Sequence, residues 1–526
     1  MKKYLFSLLV LFFYGSPAFS DIHYRNASQD KTAQELFDKG MLNFYAYLYV
    51  QAKYDFEQAL LHDSECGMCY WGLAVAKKHE MLELGQPFAT VGLADIQKAG
   101  SLVFPQNKFQ YDLVQATLNS FSSDPEMSSR QLQFNYIGAL RKLNQKYKND
   151  AEWREESLAL FVDALAYYAN VDEGDMKNHC GNLLNKVSRQ EAIDLLVPVL
   201  KNPSYPDHPG LLHTYIHMAE LDINDPLGEI AAQKITQFSG GEIAHYAHMP
   251  NHIYWRREWY DKAIQANLDA ISIDKNYFKH GGVGLNSYYY EYHYLHSYHF
   301  LSLLGVLINN FDLSIQNARD IKNLMDVNRM ENLKDYRDVF LSLEHLVLAR
   351  FKKWQQVLKL ETPQKTNKLG ILFIDFSKSL AYLNLGQRVQ FKKYYEKIKK
   401  EKYQQENLRE FQILILSYLE ASAMNLQRAS LAKLENVFLK NNVAKIEKKL
   451  FVMNPPTWFF PYQLFLSDAA AERGNLSSAK KHHDLYEKIY PKSTLGDSPS
   501  GLCQSGSKSV NRINPPYTDR PYFQVG

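Results

Sequence analysis

Cysteine is scarce in this chain. Cys66, Cys69, Cys180 and Cys503 are the only four among 526 residues, too few for a disulfide framework, so packing must supply the stability of the fold. Charge of one sign is lacking too: 60 Lys and Arg face 57 Asp and Glu, a formal net charge of +3. No global field therefore favours nucleic acid or an anionic membrane. The lysine-rich run YYEKIKKEKYQQE interleaves its acids and reads as a solvated helix face. Glycine and proline, at 25 and 19 residues, give few breaks. Valine and isoleucine nowhere alternate with polar residues over a convincing length, which argues against a β-architecture. Beyond the N-terminus no uninterrupted apolar run reaches about 18 residues, so no membrane span is expected. A Gly-rich phosphate loop, a G-x-S-x-G elbow and an HExxH helix are all missing. Gly240 and Gly241 in FSGGEIAH read as a turn before a helix.

What is present begins with an export signal. In residues 1–20, MKKYLFSLLVLFFYGSPAFS, Lys2 and Lys3 form a positive start, Tyr4 to Tyr14 an apolar centre, and Ala18 and Ser20 supply small residues for cleavage. The mature protein is expected to be soluble and exported, periplasmic or secreted. No cysteine follows the cleavage site to carry a lipid. At the other end, residues 493–526 are rich in Ser, Gly and Pro, and are expected to be disordered or draped in extended form over the last repeat.

Between these ends helical spacing dominates. Aromatic or leucine-rich helices meet short polar turns and continue into second helices with a small residue at the centre, as in WFFPYQLFLSDAAAERGNLSSAKKHHDLYEKIYPKS. Aligning KKWQQVLKL with GQRVQFKKYYEKI sets Val357 against Phe391, 34 residues apart, which is the tetratricopeptide period. The fold expected for 21–492 is all-α: a TPR-like superhelical solenoid of helix-turn-helix repeats, with a helical bundle of other topology as the alternative. Hairpins are read at about 32–79, 155–200, 211–238, 243–274, 290–325, 336–361, 371–400, 408–440 and 457–490. Such hairpins cannot bury their apolar stripes alone, so they stack, and the first helices line a concave wall.

Histidine is concentrated in the middle of this array. Ten of the 17 fall in the window 208–299. His213 and His217 are four apart and leave one helix face, His245, His248 and His252 repeat that logic at three and four, and His293, His296 and His299 step by three. Imidazole is a common ligand for zinc, copper or iron, and a same-face pair offers two ligands from one rigid element. Glu220 in HMAE and Glu242 in EIAH stand one turn from His217 and His245, placed to ligate or to orient an imidazole. The candidate metal set is His213, His217, His245, His248, His252, His296, His299 and Glu220. Against it stands packing: histidines on tyrosine-rich helices commonly hydrogen-bond a phenol or a carbonyl.

CGMC, at the expected start of a helix, has no second CxxC and no preceding strand, so a local disulfide or two buried thiols is expected rather than a redox motif. The pairing of Cys180 and Cys503 is open. The 36 Tyr and 29 Phe are assigned mainly to helix packing, with a tyrosine-lined groove as the competing reading.

The stretches HPGLLHTYIHMAE, HYAHMPNHIYWRREWYDKAIQAN and YHYLHSYHFL resemble the signature blocks of a family of exported bacterial tetratricopeptide-repeat proteins. The matching positions are His208, His213 and His217, then His245, His248 and His252, then His296 and His299. CGMCYWGLAVA and NPPTWFFP resemble the family's early repeat and late Pro-Pro-aromatic block. Where the family carries Phe-Asn-His in its first hairpin, this chain has Tyr47, Leu48 and Tyr49, so a ligand drawn from that histidine is missing. The resemblance implies an interaction surface at least as strongly as a metal site.

Two functions follow as expectations. One is a binding or scaffold protein that holds a peptide or protein partner in a histidine-lined concave cavity. The other is a transition-metal protein for Zn, Cu or Fe, with a metal-dependent hydrolase or oxidase as its extension if a coordination position stays open.

Overall fold

A computed structural model describes residues 24, 26–124, 126–168, 186–280, 282, 289–326, 330, 334–451 and 454–488. The signal segment, Cys180, Cys503 and the tail from Ser493 lie outside them. Among the described residues the regular structure is helical throughout, with no strand. No helix there is long and apolar enough to cross a membrane.

Consecutive helices pack as pairs. In the middle of the chain Pro209–Ala219 pairs with Pro226–Ile235. Next, Ala244–His248 and its continuation Pro250–Arg256 pair with Tyr260–Lys279, and Leu295–Leu307 pairs with Phe311–Leu324. Further pairs follow, including Lys334–Arg350 with Trp354–Lys359 and Lys368–Asn384 with Arg388–Lys400. Val357 and Phe391 thus sit on the second helices of successive pairs. The region from 80 to 154, for which the sequence reading gives no hairpin, holds three helices, Leu93–Leu102, Lys108–Leu118 and Ser129–Tyr147. Its signal is one stripe on the last of them, Leu132, Tyr136, Ile137, Leu140, Leu143 and Tyr147, all buried at helical spacing.

Near the N-terminus, Lys31–Tyr45 pairs with Tyr49–His62, and Gly67–Leu84 packs on the latter. Cys66 and Cys69 form a disulfide at the start of that third helix.

Two features position the site. First, the array curls enough for distant segments to meet. Helix Lys31–Tyr45 packs on Pro209–Ala219, and Trp255 Nε1 donates to Asn454 Oδ1 at 3.2 Å across 199 residues of chain. A stack restricted to nearest neighbours would bring neither pair together. Second, the apolar core is divided. One cluster runs from Tyr24 to Ile253 with Tyr289 added, and the other from Trp255 to Ala469. The short helix Pro250–Arg256 supplies Ile253 to one and Trp255 to the other, so it lies on the seam.

Close approach within a pair is achieved with small residues. Ser302 Oγ donates to the Ser314 carbonyl at 3.0 Å, and Ser314 Oγ donates back to the Ser302 carbonyl at 2.8 Å. One turn further, a Cβ on Gly305 would stand 2.5 Å from Ser314 N and 2.8 Å from its Cα. These are backbone atoms that cannot swing aside. Gly305→Ala is expected to destabilise the protein by about 1–3 kcal/mol through overpacking, read as a lowered urea midpoint. In Gly138→Ala the added methyl meets nothing within 4 Å, and that midpoint should stay level or rise.

Candidate metal centre

The seam is lined by the first helices of three successive pairs. On Pro209–Ala219, Pro209 presets the first turn, the His208 side chain accepts from Gly210 N at 3.1 Å, and every residue from Pro209 to Ala219 is buried. That helix therefore cannot place His213 and His217 anywhere but inside. Gly210 is required by a neighbour: a Cβ there would lie 2.5 Å from the Tyr45 ring, and it is the Tyr45 carbonyl that holds His213.

On the second element His245, His248 and His252 share a face, but a seven-residue separation is nearly two turns, roughly 10 Å of rise. His213, His217 and His245 bring one ligand atom each within 4.8 Å of one another, His248, His252 and His296 do the same, and a third group, His217, Glu220 and His252, joins the two. In the first triad His213 Nε2 lies 3.2 Å from His217 Nε2 and 3.1 Å from His245 Nε2. In the second, His248 Nε2 and His252 Nε2 are 3.1 Å apart. Three nitrogens bound tetrahedrally at about 2.0–2.1 Å are separated by roughly 3.3 Å, so these three pairs already stand near chelating distance, with the remaining pairs of each triad within 4.8 Å. All six are buried, none more than 5 % exposed.

Hydrogen bonds at the far nitrogens decide which way the lone pairs face. His213 Nδ1 lies 2.6 Å from the Tyr45 carbonyl. A carbonyl only accepts, so the proton is on Nδ1 and the lone pair on Nε2. His248 Nδ1 lies 2.9 Å from Asn267 Oδ1. The Asn267 amide nitrogen is committed to the Ala263 carbonyl at 2.7 Å and Asn251 Oδ1 at 2.8 Å, which fixes the oxygen as the face turned to His248. Ser297 Oγ is also within reach, at 3.2 Å. His252 Nδ1 lies 3.1 Å from Glu220 Oε2, a carboxylate that Asn454 Nδ2 supports from the far end of the chain, itself 2.9 Å from that nitrogen. His296 Nε2, the remaining member, is buried without a hydrogen-bond partner.

Burial disfavours charge on four of these rings. Desolvation pushes His245, His252 and His296 well below the usual imidazole range and His248 down to about 3, with neighbouring imidazoles opposing a second positive charge. Glu220 is driven the other way, up to about 8, by burial, against the pull of the Arg256 guanidinium. A cation among the adjacent rings would restore its charge. The walls are aromatic. Phe300 packs on His248, His252 and His296 at 4.8–5.6 Å between ring centres, and Tyr292 stacks on His296 at 5.4 Å.

Seven of the eight expected residues meet here. His299 does not. It packs edge-on against Phe340 at 5.5 Å, and neither ring nitrogen has a hydrogen-bond partner. Three residues from His296 is about 60° around a helix, enough to turn it into the neighbouring pair. Glu242, the other carboxylate considered, is exposed. The histidines expected to line a concave cavity are buried, none of the six more than 5 % exposed. Sequence reasoning passed over His293, whose ring stands 4.6 Å from that of His245 and whose Nε2 is 3.8 Å from Glu83 Oε1. Its place in the three-residue series was the available signal, and the single π-turn Tyr289–Tyr294 carries it. Tyr47 stands beside the first triad, 4.2 Å from the His213 ring, with φ of 60°. For a bulky side chain this left-handed backbone is costly, and such outliers gather at functional sites.

No protein-family profile matches the chain, and no curated protein resembles it closely enough to count as a relative.

His299 offers a test of the burial argument apart from any metal. Its pKa falls from 6.5 to about 3 on burial. Between those values the unfolded chain binds a proton that the folded one does not, so its contribution is intact above pH 6.5 and is lost as pH falls toward 3. The slope is at most about 1.4 kcal/mol per pH unit for one proton. Unfolding midpoints measured from pH 7 to 4 should fall less steeply in His299→Leu than in the unaltered protein.

Proposed function

We propose that this protein is an exported transition-metal protein built on a TPR-like helical solenoid, with one ion held by His213, His217 and His245 and a second by His248, His252 and His296. One observation carries the reading. In each triad a dedicated acceptor, the Tyr45 carbonyl or Asn267 Oδ1, fixes a proton on the outer nitrogen, so that an Nε2 lone pair faces other imidazole nitrogens at 3.1–3.2 Å in a dry interior. Without a cation His213 offers one lone pair to two rings, and His296 Nε2 has no partner. Buried polar atoms left so are costly, and a metal ion satisfies all of them together. Outer acceptors of this kind are also what metal-bound imidazoles use to fix tautomer and orientation.

Export is supported by the form of residues 1–20 and by the Cys66–Cys69 disulfide, which suits an oxidising compartment. Paired helices at a 34-residue spacing support the solenoid. A peptide lying on the histidines fits less well, because these side chains are sealed from solvent.

Elemental analysis of untagged protein from the exported fraction should find two equivalents of transition metal. His248→Ala with His252→Ala should lose one, and His213→Ala with His217→Ala the other, with helical circular dichroism retained. Asn267→Ala should weaken the second site by about 10–100-fold, the usual effect of removing an orienting partner, and leave the first unchanged. A folded protein that is metal-free and rebinds neither zinc, copper nor iron overturns the proposal.

A further inference from the structure

The two triads are not separate sites at a distance. Ring centres within the first are 5.0 and 4.9 Å apart, for His213–His217 and His213–His245. Across the boundary His217 and His252 are 5.1 Å apart, and His245 and His248 are 6.0 Å apart. The spacing between triads thus matches the spacing inside them, and one helical segment feeds both. Two ions held here would be neighbours.

The donor set narrows which ions. The six donors of the triads are imidazoles, and one carboxylate, Glu220, lies within 4.8 Å of ligand atoms of His217 and His252 and meets the outer nitrogen of His252, so a single negative charge is at hand. Two divalent ions would bring four positive charges into a water-poor interior, whereas two monovalent ions bring half as many. Charge buried without compensation is expensive. Among transition ions that take imidazole, copper is the one with a stable monovalent state, and in that state it accepts three-coordinate nitrogen sites. Three ligands leave each ion an unfilled position. The surrounding wall, with Tyr47, Tyr292 and Phe300, is aromatic and buried, which suits a small uncharged reactant and not a peptide or sugar.

Resting on the metal reading above, we infer that the six histidines form a binuclear copper centre that binds dioxygen between its two ions. The step balances without an outside reductant. Each Cu(I) gives one electron, dioxygen takes both to become peroxide bridging two Cu(II) ions, the O–O bond order falls from two to one, and no proton moves. Release of dioxygen returns both electrons to copper.

The test loads full-length mature protein with cuprous ion under anaerobic conditions and then titrates dioxygen. Expected are uptake of one dioxygen per copper pair, an intense near-ultraviolet charge-transfer band, and no Cu(II) signal in electron paramagnetic resonance, because the two spins couple through the bridge. His217→Ala and His252→Ala, one from each triad, should each abolish the band. If copper binds but oxygen yields isolated, resonance-active Cu(II), or no reaction, the binuclear inference is overturned and the metal reading stands. Retention of zinc with refusal of copper has the same meaning. Failure to bind any metal overturns both. Should a variant not fold, loading the unaltered protein with one zinc and one copper supplies the same test, and a persisting band there overturns the inference.

Discussion

The chain's central constraint is the desolvation of imidazole. Six buried rings are brought together, and five of them approach one another through Nε2. An imidazole in that position has exchanged its hydration for contact with another imidazole nitrogen, and a second positive charge there would repel the first. Outer nitrogens of three rings have partners of their own, the Tyr45 carbonyl for His213, Asn267 for His248 and Glu220 with Asn454 for His252. The Tyr45 carbonyl and Asn267 Oδ1 settle the tautomers of His213 and His248.

Holding such a cluster demands more rigidity than one helix pair supplies. Elements from three parts of the chain meet at it. The first hairpin delivers the Tyr45 carbonyl from 168 residues before His213, the middle pairs deliver the rings, and Asn454 reaches back 234 residues to Glu220. The site also lies where two apolar cores abut, a common location for ligand sites because side chains there can be positioned from both sides. Helices that met only their sequence neighbours would lack these outer partners, so the return of the first hairpin and of Asn454 is what completes the surroundings of the histidines.

The aromatic content contributes twice. Phe300 and Tyr292 wall the second triad, and Tyr47 stands beside the first in a strained backbone conformation. Away from the site the same residue types fill the space between helices, as where Phe109 stacks on Trp153 at 4.4 Å. Packing and site construction therefore draw on one composition. That is why counting tyrosines could not separate a core from a binding surface.

Much of this was legible before any coordinates. Helical spacing and small central residues located the pairs from Pro209 onward, and the four-residue step from His213 to His217 put both rings on one face. What sequence could not decide is which rings meet. His245 joins His213 and His217 from another helix, and His296 enters while His299 three residues on turns to Phe340. Asn267 and Asn454 fall within the stretches HYAHMPNHIYWRREWYDKAIQAN and NPPTWFFP, yet nothing in those stretches, or around Tyr45, assigned them as supports. Local spacing fixes side-chain directions within a helix, because a helix is a repeating structure of known pitch. The rotation of one helix against the next, and the return of distant segments to the seam, are set by the packing of the whole array, and only the tertiary structure contains them.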